Sequence, residues 1–352
     1  MNIVVINHYA GLPSLGMEYR PYYLAREWVR AGHEVRSLEA GFSHVRARQP
    51  ELAGEPRDQI VDGIAYRWYP TPAYTGNGVG RVWNIVSFLR QVWADSSRLL
   101  RERRPDVVVA SSTYPLDIWV ARRLARAAGA MLVHEVHDLW PLSPIELAGM
   151  SPRHPFIRWC QWAEDTACRD ADLIVSMLPK VREHLQQHGM APHKLHIVQN
   201  GVAPDDWQGE PQPLAGDAAR AIAAAHAAGH AVVVYAGSHG VPNALDVLLD
   251  AAVRLRNEPI HFVLVGDGME KAALQRQAGL LALANVTFCN PIPKAQMPAL
   301  LAAADVAYIG WGIYPHYPLR LAPNKPLGNK IGWPPALPSG GGGRGARGGE
   351  GR

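Results

Sequence analysis

The residues best suited to chemistry fall in four short segments. The first is His134-Glu135-Val136-His137-Asp138-Leu139-Trp140-Pro141. It closes an apolar run and so sits at a strand end, where open α/β sheets bind ligands. There His137 and Asp138 could hydrogen-bond the hydroxyls of a sugar, and Glu135 could serve as a base or an orienting group. The same residues also read as a structural histidine and a helix-capping aspartate. The second segment, His8-Tyr9-Ala10-Gly11-Leu12-Pro13-Ser14-Leu15-Gly16, leads from a strand into a helix. Free N–H groups at a helix N-terminus favour an anion. The G-x-G-x-x-G spacing is absent, however, and a βα turn without a ligand reads equally well. Gly237-Ser238-His239-Gly240 and Gly266-Asp267-Gly268 follow two later apolar runs. Both place backbone amides at strand ends, where a diphosphate or a base could sit, although Gly-Asp-Gly is also a common turn.

Elements that would position these segments alternate along the chain. Short Val/Ile-rich runs predict strands at Ile3–Ile6, Val35–Leu38, Ile64–Tyr69, Val107–Ala110, Met131–Val136, Leu173–Ser176 and Leu195–Val198. Helical patterns lie between them at Tyr22–Ala31, Val82–Leu100, Ile118–Ala128, Phe156–Arg169 and Val181–His188. Such alternation predicts βα units around a parallel sheet. Pro204 to Gly216 breaks the pattern with proline, glycine and acidic residues, as an inter-domain linker does. A second series follows, beginning with an alanine-rich helix (Asp217–Ala228) and the strand Ala231–Tyr235. It continues through Leu245–Leu255, His261–Val265, Lys271–Leu281, Val286–Phe288, Met297–Ala304 and Val306–Ile309. Two consecutive doubly wound domains are the economical reading.

Composition narrows the classes. The 352 residues are 48% hydrophobic and 19% charged, enough for a sizeable core. No run approaches the ~18 apolar residues of a membrane span, and Met1 leads directly into an apparent strand rather than a secretory leader. Cys160, Cys168 and Cys289 are scattered and suit a reducing compartment. The fifteen histidines are dispersed, so no metal constellation is read. A Walker A loop, a nucleophile elbow and a nucleic-acid module are also absent. The net charge of +4 permits an anionic partner without demanding one. The basic, Trp-bearing stretch Arg81–Arg104 aligns Val82, Ile85, Val86, Leu89 and Trp93 at helical spacing, with Arg90, Arg98, Arg101, Arg103 and Arg104 nearby. It could lie on an anionic membrane, or pack on the sheet.

Taken in order, these segments resemble bacterial family 4 glycosyltransferases of the GT-B fold. The resemblance rests on Asn7-His8-Tyr9, Ala31-Gly32-His33-Glu34-Val35, Glu135 to Pro141, Ala171-Asp172-Leu173-Ile174-Val175 and Asn200-Gly201-Val202. It continues through Tyr235-Ala236-Gly237-Ser238, Val265-Gly266-Asp267-Gly268, Ala304-Asp305-Val306 and Pro323-Asn324-Lys325. The subgroup it looks like builds capsule, O-antigen or exopolysaccharide units.

The resemblance implies two Rossmann-like domains facing a cleft: residues 1–203 on the acceptor side, and 204–325 binding the nucleotide-sugar. It implies retaining transfer of a hexosyl or N-acetylhexosaminyl group from a nucleotide-diphospho-sugar, UDP favoured, to a glycan or lipid-linked acceptor. No metal or other cofactor is implied, since the nucleotide-sugar is itself a substrate, and no nucleic acid. His137 matches the histidine that contacts the donor sugar, and Lys325 could neutralise the leaving diphosphate. Gly16, Gly237, Ser238, Gly266, Asp267, Gly268 and Asn324 fall at donor-binding positions, and Ile292 falls where a backbone contact to the base is usual. Glu135 and Asp138 fall on the acceptor side. The setting implied is cytoplasmic, with peripheral contact at the inner face of the membrane.

Two departures qualify the match. Ser238 and Asn243 lie near positions where many members carry Arg and Lys. Beyond Lys325, no acidic helix, Gly-Pro-Val or closing strand can be read. Eight of the fifteen residues from Pro338 to Arg352 are glycine, so 326–352 is expected to be a disordered tail on an incomplete second domain. A shifted reading frame would explain it. Two alternatives stand beside transfer: a nucleotide-sugar epimerase of the same fold, and a truncated, catalytically dead remnant.

Overall fold

A computed structural model describes residues 1–310, apart from 17, 47, 77 and 209. The expectations placed on Asn324, Lys325 and the 326–352 tail lie outside the described residues. The chain divides into two compact units, Met1–Ala203 and a second that begins at Pro204.

The first unit is built on eight strands: β1 (Asn2–Ile6), β2 (Glu34–Ala40), β3 (Arg57–Val61), β4 (Ile64–Tyr69), β5 (Val107–Ala110), β6 (Met131–Val136), β7 (Leu173–Ser176) and β8 (Leu195–Ile197). Their order in the sheet is β3-β4-β2-β1-β5-β6-β7-β8. Every pairing is parallel except that of β3 with β4. The helices are α1 (Arg20–Arg30), α2 (Val79–Glu102), α3 (Ile118–Ala128), α4 (Leu142–Ala148), α5 (Pro155–Asp170) and α6 (Arg182–Gln187).

Alternation along β1 shows why this sheet is covered on both sides. Successive side chains of a strand point to opposite faces. Ile3 and Val5 accordingly enter one core with Tyr22 and Ala25 of α1. Val4 and Ile6 enter the other with Ile85 and Phe88 of α2 and Leu124 of α3. Each face thus has its own apolar core, as a doubly wound fold requires.

Three features depart from the sequence reading. First, β3 and β4 form an antiparallel hairpin closed by Asp62 and Gly63, both at positive φ (51° and 77°). This is the backbone a two-residue hairpin turn demands, and Asp-Gly is its usual sequence. A β-carbon at Gly63 would also lie 2.8 Å from Val29 Cγ1. Second, the short helix α4 follows Pro141, with Pro144 tolerated in its first turn.

Third, α2 is rotated relative to the expected apolar face. Ile85, Phe88, Leu89, Val92 and Leu99 are buried against the sheet, while Trp93 is 43% exposed. Trp93 instead lies under the Arg123 guanidinium, 4.3 Å from its ring centre. It joins Trp119, Trp159, Trp162, Arg122 and Arg126 around a shallow surface depression. The arginines expected to charge α2 are partly neutralised: Arg98 pairs with Glu102 at 2.6 Å, and Arg103 pairs with Glu34. The face of α2 that packs on the sheet is therefore the one carrying Ile85, Phe88, Leu89, Val92 and Leu99.

The second unit contains α7 (Asp205–Gln208), α8 (Gly216–Ala227), β9 (Ala231–Ala236), α9 (Leu245–Arg254), β10 (Ile260–Val265), α10 (Lys271–Leu280), β11 (Val286–Cys289), α11 (Met297–Ala302) and β12 (Val306–Ala307). Among the described residues its four strands are parallel, in the order β11-β10-β9-β12. Phe262 and Leu264 face a core with α9 and α10, while Val263 and Val265 face another with α8 and α11. The last strand is shorter than expected, ending at Ala307.

Candidate functional site

In the first sheet β1 has β2 on one side and β5 on the other. The order of strands reverses there, and ligands of open α/β sheets bind outside the carboxyl ends of strands at such a point. Asn7, His8, Ser111 and Ser112 follow β1 and β5 directly and are all buried. Asn7 Nδ2 donates to the Ser111 carbonyl and, at 3.1 Å, to Ser111 Oγ, which locks the two strand ends together.

Glu135 and His137 join this cluster from β6 and the residue following it. They are two apart in an extended segment and so lie on one face. Each side chain is only 4% exposed. Glu135 Oε1 accepts from Arg20 Nε at 2.8 Å. Glu135 Oε2 accepts from Ser111 Oγ at 2.7 Å and lies 3.1 Å from His137 Nε2. His137 Nε2 is also 3.0 Å from Ser111 Oγ, and its Nδ1 is 3.5 Å from Glu18 Oε2. Arg20, the first residue of α1, further donates to Asn200 Oδ1 (2.9 Å) and to the Val198 carbonyl (2.8 Å).

Electrostatics follow from these contacts. Burial opposes charge on both groups, yet the pair stays ionised. His137 is surrounded by Glu135 and Glu18, which outweigh its burial and hold the imidazole protonated well above its ordinary range. Glu135 is held below the usual carboxylate range because His137, Arg20 and Ser111 together outweigh its burial. Such an imidazolium is a hydrogen-bond donor and a fixed positive charge, not a base. Both oxygens of Glu135 are engaged, so of the two roles left open by the sequence the geometry supports the orienting one.

Asp138 is held by local contacts but does not cap α4, whose N-cap is Pro141 with no side-chain cap bond. Its Oδ1 accepts from Leu139 N (2.9 Å) and its Oδ2 from Ser143 Oγ (2.6 Å) at the start of α4. Gly16 lies in a turn at φ 92°, with its own N–H and that of Leu15 both bonded to the Leu12 carbonyl. Gly11 N–H donates to the Glu18 carbonyl. The expected outward-pointing amides are therefore not found at Gly11, Leu15 or Gly16.

In the second unit Gly237, Ser238, Gly266, Asp267 and Gly268 are brought together at the ends of β9 and β10. Gly237 N donates to the Val265 carbonyl, and His239 N to the Asp267 carbonyl at 2.8 Å. A β-carbon at Gly266 would stand 1.9 Å from the Gly237 carbonyl oxygen, and one at Gly268 2.4 Å from that of His239. Two turns in such contact require glycine. The Ser238 carbonyl accepts from Tyr235 Oη (2.6 Å) and Asn243 Nδ2 (2.8 Å), so Asn243 organises this turn. Ile292 is half-buried and packs on the core shared by α8 and α11.

Sequence reasoning missed Glu18, Arg20, Ser111 and Lys271. Lys271 Nζ donates to the carbonyls of Gly266 (2.8 Å) and Cys289 (3.0 Å), placing a positive charge at the ends of β10 and β11. Burial, aided by Lys271, lowers the His239 pKa to about 4 and keeps that ring neutral.

Two consecutive parallel α/β units, the first with an ionised polar cluster at its switch point, define the class of two-domain Rossmann-like proteins, whose ligands bind at the carboxyl ends of strands. The chain belongs to the glycosyl transferase 4-like domain family, whose model matches residues 16–201. Residues 230–310 match a second model, glycosyl transferases group 1. A 74-residue stretch is 36% identical to WcaI of Escherichia coli strain K12, a glycosyl transferase assigned to colanic acid biosynthesis. That stretch is 21% of this chain and spans only 18% of WcaI.

Among solved structures, Anabaena HepE in complex with UDP and glucose superposes with a TM-score of 0.58 at 16% identity, over 88% of this chain and 74% of that one. Sucrose-phosphate synthase from Thermosynechococcus elongatus gives 0.64 at 16% identity, over 89% and 77%. These likenesses show the fold, which is that of the GT-B glycosyltransferases.

Proposed function

We propose that the protein is a retaining glycosyltransferase. It moves a hexosyl or N-acetylhexosaminyl group from a nucleotide-diphospho-sugar to a glycan or lipid-linked acceptor in bacterial surface polysaccharide synthesis. The bond from the anomeric carbon to the diphosphate oxygen breaks and the nucleotide leaves with the electron pair; the acceptor oxygen bonds to the anomeric carbon, and its proton passes to the departing phosphate oxygen. The observation that carries this reading is the imidazolium of His137, held ionised by Glu135 and Glu18 at the switch point. A preorganised cation of this kind favours a reaction in which negative charge develops.

In this reading His137 contacts the donor sugar, with Glu135 and Arg20 positioning it. The turns at Gly237, Ser238 and Gly266 to Gly268 cradle the nucleotide diphosphate, and Lys271 adds charge behind them. The Gly16 loop approaches the diphosphate, Ile292 contacts the base through its backbone, and Asn324 and Lys325 complete the donor site. No metal is assigned to the transfer. UDP bound by HepE supports a UDP-sugar, and the WcaI likeness supports the surface-polysaccharide role.

Among the described residues no helix is long and apolar enough to cross a membrane. The working location proposed is the cytoplasm, at the inner face of the membrane, with the Trp93–Trp119–Trp159–Trp162 and arginine depression as the contact surface.

The full chain should be incubated with UDP- and GDP-sugars, with and without candidate acceptors. Release of nucleoside diphosphate supports transfer, and His137→Ala should lower kcat by about 10²–10³-fold. An epimerised nucleotide-sugar formed without acceptor would point to the epimerase instead. Failure to bind any nucleotide-sugar would remove both.

A further inference from the structure

Away from the switch point, α5 and the end of α6 bring together a second cluster. Glu164 is buried, its side chain 4% exposed. His184 and His188 sit four apart, hence on one helical face. One ligand atom from each of Glu164, His184 and His188 can be chosen so that all lie within 4.8 Å of one another. His184 Nε2 is 2.8 Å from Glu164 Oε1, and His188 Nε2 is 3.9 Å from Glu164 Oε2. Asp165 Oδ1 stands 2.8 Å from His188 Nδ1.

Glu164 raises a physical question. A buried carboxylate is costly unless a charge compensates it. Among the described residues its ion pairs are with His184 and His188 alone, at 2.8 and 3.9 Å. Gln161 Nε2 donates to Glu164 Oε2 at 2.8 Å and to Asp165 Oδ1 at 2.9 Å, which orients both carboxylates without supplying charge.

We propose that Glu164, His184 and His188 bind a divalent transition-metal ion of the zinc class, with water as fourth ligand and Asp165 orienting His188 from its Nδ1 side. Two imidazoles and a carboxylate form a donor set suited to Zn²⁺, and too poor in oxygen for Ca²⁺ or Mg²⁺. Tetrahedral Zn²⁺ with bonds of roughly 2.0–2.1 Å holds its ligand atoms about 3.3 Å apart. The 2.8 and 3.9 Å separations, one to each oxygen of Glu164, lie on either side of that value, so a small turn of the carboxylate brings one oxygen to both rings. The ligands come from two helices of the first unit, so the ion acts as a clamp between α5 and α6, apart from the transfer chemistry. Gln161 is the outer residue that positions Glu164. The sequence carried half of this signal, the His-x-x-x-His spacing. Its partner, 20 residues upstream of His184, is met only in the fold.

The test uses the full chain stripped with EDTA. Zn²⁺ should bind at one equivalent by calorimetry and raise the Tm, Co²⁺ should give the visible bands of a tetrahedral site, and Mg²⁺ should do neither. His188→Ala should abolish the Co²⁺ bands, and Gln161→Ala should weaken Zn²⁺ binding about 10-fold. Two results would overturn the proposal. One is an unmodified chain with no Zn²⁺-dependent Tm rise and no Co²⁺ bands. The other is undiminished binding in the His184→Ala/His188→Ala double variant. If that variant fails to fold, as judged by circular dichroism in EDTA, undiminished binding in His188→Ala alone is equally decisive.

Discussion

Glu135 Oε2 lies 3.1 Å from His137 Nε2, with the hydroxyl of Ser111 within 3.0 Å of both. The two residues stand on one face of the same strand end, so their spacing in sequence already dictates their meeting. The strength of the coupling comes from burial, which removes the water that would screen it. Nuclear magnetic resonance of the His137 ring should therefore show it protonated through neutral pH and discharging only well above the ordinary histidine range. In Glu135→Gln the ring should titrate at a markedly lower pH, since Glu18 alone remains, at 3.5 Å. An unchanged midpoint would show that Glu135 is not what holds the proton.

A second prediction concerns stability between pH 6.5 and 8. His137 has a folded pKa raised above 6.5, so its contribution is complete below 6.5 and is lost as pH rises through the folded value. Burial raises Asp117 from 3.8 to about 7 and Glu39 from 4.5 to about 8. Those groups also stabilise the folded state least where they must ionise, at high pH. Burial lowers His44 and His134 to about 4, as it does His239. Their effect is the opposite and is mostly spent by pH 6.5; the remainder, gained as the half-charged unfolded histidines finish discharging, is smaller than the losses from His137, Asp117 and Glu39. The urea midpoint should hence fall from pH 6.5 to pH 8. A rise over that interval would contradict the assignments.

The orientation of α2 gives a third. Phe88 is fully buried and packs on the sheet, whereas Trp93 is 43% exposed beneath Arg123. Phe88→Ala should cost about 3–5 kcal/mol, the range for emptying an aromatic core site. Trp93→Ala should cost only ~0.5–1 kcal/mol, the worth of an exposed cation–π contact. Equilibrium urea unfolding of the two variants decides which face is buried, and equal losses would restore the face read from the sequence.

These particulars show what was legible in the residues. Buried parallel strands are short apolar runs, so β5, β6 and β7 can be read with their ends. α2 was misplaced in rotation because apolar residues occur on more than one of its sides, and periodicity alone does not say which side meets the sheet. The β3–β4 hairpin carried its signal in Asp62-Gly63, but a uniform βα alternation masked it. At the site, Glu135 and His137 were visible because they are neighbours in sequence. Arg20 was not, for it meets Glu135 across 115 residues and Asn200 across 180. Side chains that converge only through topology leave no spacing to find. Gly266 and Gly268 were legible as a turn. The reason glycine is needed, the approach of the Gly237 and His239 backbone, belongs to the fold.

The last prediction tests the depression proposed as the membrane contact. Trp119 and Trp159 stack at 6.1 Å, and Trp162 lies 4.9 Å from Trp119 while remaining 61% exposed. Tryptophan favours the membrane interface, and Arg123 and Arg126 add positive charge beside it, with Arg122 drawn toward Asp170. Co-sedimentation of the full chain with vesicles containing anionic phospholipid should be strong at low salt and should weaken as ionic strength shortens the reach of the charges. Arg123→Glu/Arg126→Glu should abolish the salt-sensitive part. Trp162→Ser should reduce binding at every salt concentration, because it removes apolar contact instead of charge. Vesicles of neutral lipid separate the two contributions further: they should retain only the tryptophan-dependent fraction. If the chain stays in the supernatant with anionic vesicles at low salt, the depression serves something other than a lipid surface.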